Sequence, residues 1–297
     1  MKTLKTIYLL LIVLVWAAFP VLAHADHAWG PYHWARTANP FTLQLGDNLT
    51  SADWKSHLAQ ASQDWNSPQV FGMTTPLLTA IVNGSTSASL PKSKAKGRKP
   101  SGSTKTCKAV AGTTQVCNAR YGRNGWLGLA SISITGGTHI TQGLAKMNDT
   151  YFDTSTYNNP NERLHVMCQE IAHTFGLDHQ STNGSSQDTC MDYFSNTGGN
   201  AGSTLSTQPN SHDFEELDLI YAHLDNTNTV AGMSAFSISA DDDDDPNSWG
   251  QLMRQSSNGR SSTYRKFHAD GTDTLTHIYW TLEAAERCPA CDHRFDH

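Results

Sequence analysis

The rhythm of apolar and polar residues divides this chain into a strand-and-helix unit and a smaller β unit behind it. Phe41, Leu43 and Leu45 alternate with polar neighbours, the period of a half-buried strand, and Gly46-Asp47-Asn48 offers a turn. Trp54, Leu58, Ala61 and Trp65 recur at helical spacing, with Thr50 or Ser51 placed to cap. Leu77 to Val82 reads as a second strand, ended by Asn83-Gly84. Val116 to Ala119 and Trp126 to Ile134 are strand-like around a turn at Gly122 to Gly125, and Gly136-Gly137 bends the chain into a strand from His139 to Met147. Helices follow over Asn161 to Phe175 and Asp213 to Leu224, the latter with Phe214, Leu217, Ile220, Tyr221 and Leu224 on one face. Near the end, Ser262 to His268 and Thr274 to Thr281 flank Asp270-Gly271, a hairpin signal. The fold class is α+β.

At 297 residues, 38% of them hydrophobic, the chain can bury a sizeable core. Its first segment carries Lys2 and Lys5, an apolar run from Ile7 to Ala18, and Ala23-His24-Ala25, the pattern of an export signal. This predicts a signal peptide at 1–25, a main domain at 26–226, and an acidic linker with a small β extension at 227–297. No stable membrane insertion is expected after cleavage, because no second apolar run of that length follows. The protein is expected to be secreted.

Removing the signal takes the formal charge from -6 to -8, a mildly acidic balance that argues against nucleic acid as partner. Residues 85–106 are rich in Ser, Lys, Gly and Pro and read as a solvated basic loop. Asp241 to Asp245 offers carboxylates to Ca2+, yet consecutive aspartates without spaced ligands read better as a solvated run. Six cysteines in an exported chain imply disulfides. Proximity suggests Cys107 with Cys117 and Cys288 with Cys291. Asn48, Asn83, Asn148 and Asn183 stand in glycosylation sequons.

The candidate chemistry lies in His165-Val166-Met167-Cys168-Gln169-Glu170-Ile171-Ala172-His173-Thr174-Phe175-Gly176-Leu177-Asp178-His179. On a helix Gln169 and His173 share a face, with Glu170 beside them. Gly176 is free to take positive φ, end the helix and present His179 to the same point. His165 is too far from His173 along the helix to stand in for Gln169, and reads as a packing or capping residue.

Glu170, His173, Gly176 and His179, with Met191-Asp192-Tyr193 further on, resemble the metzincin zinc peptidases, whose pattern is His-Glu-x-x-His-x-x-Gly-x-x-His followed by a methionine turn. Gly176 to His179 is similar to the matrixin branch, and Met191 to Tyr193 to the turn of astacins and serralysins. The departure is Gln169, where the family has its first histidine. The resemblance implies a twisted mixed sheet with an antiparallel edge strand over the cleft, the place taken here by His139 to Met147, along which an extended polypeptide would add. It also implies that the loop from Ser195 to Ser211 borders the substrate pocket.

By the same resemblance, Gln169, His173 and His179 would hold Zn2+, Glu170 would be general base, Tyr193 would bind metal or stabilise the oxyanion, and Met191 would pack beneath the metal. Cys168 and Cys190 could then meet below the site. A carboxamide oxygen is a weaker donor to zinc than an imidazole, so three outcomes stay open: Gln169 binds through its oxygen, Tyr193 or another side chain completes the set, or the site is empty. The expected function is a secreted zinc endopeptidase. The alternative is a catalytically inactive relative that binds a peptide or glycan in the old cleft.

Overall fold

The computed structural model describes residues 27–85, 107–181, 183–230 and 245–295. The expected signal segment, all of the basic loop but Ser85, and Asp241 to Asp244 lie outside the described residues. Asp245 caps a short turn by accepting from the Asn247 amide.

The strands are β1 (His33–Trp34), β2 (Phe41–Asn48), β3 (Leu77–Asn83), β4 (Thr113–Ala119), β5 (Trp126–Thr135), β6 (His139–Asn148), β7 (Gln251–Gln255), β8 (Ser261–Phe267) and β9 (Asp273–Trp280). They form one mixed sheet in the order β3-β2-β4-β6-β5-β9-β8-β7, with β1 pairing with β6. From β3 to β6 neighbours run parallel; β5 opposes both β6 and β9. The expected turn at Gly46 to Asn48 is instead continuous strand. An added Cβ at Gly46 would meet the Gln115 carboxamide at 2.4 Å, so that side chain would have to move.

The helices are α1 (Ala52–Trp65), α2 (Asp149–Phe152), α3 (Pro160–His173), α4 (Ser211–Ile220) and α5 (Leu282–Arg287). Ser51 caps α1 by accepting from the Trp54 amide, and Asn159 caps α3 by accepting from the Glu162 amide. Trp54, Leu58, Ala61 and Trp65 turn their stripe inward and bury it. They join Met167, Ile171, Phe175, Phe214 and Leu217 in the main core. That core holds α3 across one face of the sheet.

Two expectations about the sheet need correction. His139 to Met147 is not an edge: β6 lies inside the sheet, between β4 and β5. The strand that opposes its neighbour is β5, and its outer side is paired along its length with β9, Ala130 standing opposite His277. No free antiparallel edge borders α3 among the described residues. The cause is the C-terminal hairpin, which forms around Asp270-Gly271 and continues the main sheet instead of standing apart.

All six cysteines pair, as Cys107–Cys117, Cys168–Cys190 and Cys288–Cys291. Such bonds fit an oxidising compartment. Among the described residues, no helix is long and apolar enough to cross a membrane. Of the sequon asparagines, Asn148 is fully buried, its amide donating to the carbonyls of Gly122 and Trp126.

Candidate metal centre

Helix α3 carries Gln169, Glu170 and His173 into the core, where none of the three is exposed. Past the helix Gly176 takes φ 101°, and an added Cβ would meet the Tyr32 carbonyl oxygen at 2.4 Å. Only glycine satisfies both demands. The bend returns the chain so that the rings of His173 and His179 lie 4.6 Å apart.

The third imidazole comes from the far end of the chain. His277 on β9 places its ring 4.0 Å from that of His173 and 4.8 Å from that of His179. One ligand nitrogen from each of His173, His179 and His277 falls within 4.8 Å of the others, a group able to hold a metal ion. Sequence reasoning did not single out His277. The available signal was a histidine directly before the apolar run Ile278-Tyr279-Trp280, in a strand otherwise suited to burial.

Hydrogen bonds set the two motif imidazoles for coordination. His173 Nδ1 donates to the Leu177 carbonyl at 2.8 Å, which leaves its Nε2 as a lone pair. His179 Nδ1 faces the Asp178 carboxylate at 3.1 Å and the Tyr193 hydroxyl at 2.9 Å. His179 Nε2 is thereby freed as well. Both Nε2 atoms are buried without a hydrogen-bond partner, as are both ring nitrogens of His277.

Burial pushes the pKa of His173 down to about 3, helped by the neighbouring His179. Burial likewise lowers His179, against the pull of its bond to Asp178, and burial with the two neighbouring imidazoles holds His277 well below its ordinary value. Three neutral rings with free lone pairs are what a divalent metal requires.

Glu170 sits at this cluster, with Oε2 3.7 Å from His277 Nδ1. Burial raises its pKa well above 4.5, and neither carboxylate oxygen has a hydrogen-bond partner. Its space comes from Gly128 on β5, where a Cβ would stand 2.2 Å from Glu170 Oε1. An isolated buried carboxylate is costly, and a cation beside it offsets the cost. The orphaned atoms of the three histidines and Glu170 therefore fit a cation-binding site.

Gln169 is committed differently. Its amide nitrogen donates to the carbonyls of Cys190 and Asp192, each at 2.9 Å, so it ties α3 to the turn bearing Met191. This leaves Oε1, buried and without a hydrogen-bond partner, as the one donor atom residue 169 can offer a metal. The disulfide Cys168–Cys190 fastens the same junction one residue earlier on each side. Met191 is fully buried in the core.

Tyr193 is buried, and its hydroxyl contacts His179 Nδ1 and the Ser261 hydroxyl. That is the nitrogen opposite the free lone pair, so in this arrangement Tyr193 orients the ring from behind. Burial holds its phenol well above 10. His165 bonds the Asn196 carboxamide at 3.2 Å and packs on Tyr279.

Two further segments close over the cluster. The N-terminal stretch stacks Trp29 on His173, ring centres 5.4 Å apart, and its amide donates to the Gly176 carbonyl at 2.8 Å. Strand β7 contributes Arg254, whose guanidinium pairs with Asp178. Burial would raise the Asp178 carboxyl, but its bond to His179 and the Arg254 charge hold it below the usual carboxylate range. Comparison with known protein families and with curated proteins finds no match for this chain.

Proposed function

We propose that this chain is a zinc-dependent hydrolase of the metzincin type, acting on peptide bonds and exported from the cell. His173, His179 and His277 form the ligand set, and Glu170 carries the proton. The observation that supports this most is the set of three neutral, buried imidazoles with unpartnered nitrogens beside an unpartnered carboxylate. His277 supplies the imidazole that Gln169 lacks, which removes the main objection to a working centre. When bound, zinc supplies Lewis acidity and a water made acidic.

Glu170 takes a proton and returns it to the leaving amine, and a carboxyl raised by burial suits both halves of that cycle. Asp178 and Tyr193 fix the tautomer and tilt of His179. Gln169 anchors the methionine turn, and Met191 packs there in the core.

The pairing of β9 with β5 favours a second reading. A polypeptide adding beside α3 needs the outer side of β5, and β9 occupies it. The arrangement described is thus closed to an extended substrate, as in a latent enzyme or a relative that binds metal without cleaving.

The test is the mature chain loaded with zinc and offered a denatured protein, with Glu170→Gln and His277→Ala beside it. Cleavage that is lost on chelation and in both variants supports the peptidase. Stoichiometric zinc with no cleavage of any substrate supports the closed, non-catalytic reading. Cleavage that survives both substitutions overturns the assignment of these residues.

A further inference from the structure

A second group of metal-ligand side chains gathers around His33, further along the same N-terminal strap as Trp29. His33 in β1, and His223 and Asp225 in the turn after α4, bring one ligand atom each within 4.8 Å of the others. His33 Nε2 stands 3.1 Å from His223 Nε2 and 3.3 Å from Asp225 Oδ1, and His223 Nε2 stands 3.7 Å from the same oxygen. Ligands of a tetrahedral zinc site, at about 2.0–2.2 Å from the metal, are about 3.3–3.5 Å from one another. The three observed edges bracket that spacing.

Both sides of the cluster are braced from behind. His33 Nδ1 faces the Pro31 carbonyl at 2.9 Å, and a carbonyl only accepts, so Nδ1 carries the proton. Its Nε2 is then the ring atom turned toward the Asp225 carboxylate oxygen. A carbonyl behind Nδ1 is also the usual support of a metal-binding imidazole. The carboxylate is supported in the same way: Arg36 donates to Asp225 Oδ2 from its side chain at 2.9 Å and from its backbone at 3.2 Å, leaving Oδ1 for the cluster.

We propose that His33, His223 and Asp225 form a second site for a divalent transition metal of the zinc class, structural in role. Two imidazoles and one carboxylate suit that class better than calcium or magnesium. His139, whose Nε2 is 3.2 Å from Asp225 Oδ1, is the nearest further donor and stands opposite His33 in the β1–β6 register. A metal here would pin the strap to β6 and to the end of α4. The strap in turn places Trp29 on His173, so the second site would hold the lid of the first in position. This inference does not rest on the peptidase reading.

The test uses the full mature chain, stripped with chelator, re-equilibrated with zinc, desalted and analysed for metal. His223→Ala is the variant of choice because that side chain is 55% exposed and its loss spares the core. Two zinc ions per natural chain are expected, one in His223→Ala, one in His173→Ala and none in the double variant, with affinity at the second site falling about 100-fold or more. If the first site fails to bind, the natural chain and His173→Ala hold one ion and His223→Ala none, which still supports this site. A zinc content unchanged by His223→Ala overturns it. Should that variant not fold, carbethoxylation of His223 in the natural chain gives the answer: protection by zinc supports the site, and equal labelling with and without zinc overturns it.

Discussion

The two histidine clusters share one N-terminal strap, which lends Trp29 to the first and His33 to the second, and they are built on opposite principles. The first is sunk in the core, its imidazoles and Glu170 enclosed by α3, β5, β9 and the strap, with no exposure at His173, His277 or Glu170. The second lies at the surface, with His223 half exposed. Deep burial sets geometry through packing but leaves polar atoms that only a ligand can satisfy. A surface cluster lets water take that part, so it tolerates being empty. The comparison teaches that damage to the first cluster should travel into the fold, while damage to the second should reach no further than the strap it holds.

The largest expected effect is at the floor of the buried cluster. Replacing both Cys168 and Cys190 with Ala, which opens a loop of 22 residues, should cost about 3 kcal/mol in denaturant unfolding. A change below about 1 kcal/mol would show that packing alone holds the methionine turn. Next comes Gly128→Ala, whose methyl group would collide with Glu170 and Val166. Overpacking of this kind costs about 1–3 kcal/mol and should displace the carboxylate, so stability and any zinc-dependent activity should fall together.

Acid should separate the clusters further. His173 titrates at about 3 in the fold against 6.5 ordinarily, so between those values the unfolded chain binds more protons. Metal-free stability should therefore drop as pH falls from about 6.5 towards about 3. The raised Glu170 carboxyl works in the opposite sense above 4.5, so Glu170→Gln is the background in which to measure the slope. A flat profile there would mean the rings are not buried as neutral groups. The smallest effect is expected for Arg254→Ala. Its partner Asp178 is buried, but Arg254 is 60% exposed, and a pair screened to that degree contributes below about 1 kcal/mol.

Much of the frame was legible because local patterns decide it. The stripe of Trp54, Leu58, Ala61 and Trp65, the alternation from Phe41 to Leu45, and the turn at Asp270-Gly271 each follow from neighbours in sequence. What escaped depends on distant pairing. Strand β5 is buried on both faces, so its sequence does not say which strand lies beside it. Without that pairing, His277 could not be placed next to His173, nor the outer side of β5 be seen as occupied. The resemblance points to Gln169 as the weak member of a ligand set, whereas the third imidazole of the observed group arrives from about a hundred residues away in the hairpin. His33 and His139 escaped for the same reason: only β1–β6 pairing and the end of α4 bring them to the neighbouring pair His223 and Asp225.

Asn148 carries a lesson about biosynthesis. Its Asn-Asp-Thr triplet is an acceptor for oligosaccharide transfer, yet in the finished sheet the side-chain amide is spent on Gly122 and Trp126, with no route out for a sugar. Transferase and folding would therefore compete for the nascent chain wherever that enzyme is present. A host lacking it should yield more native protein, and Thr150→Ala should narrow the difference between hosts.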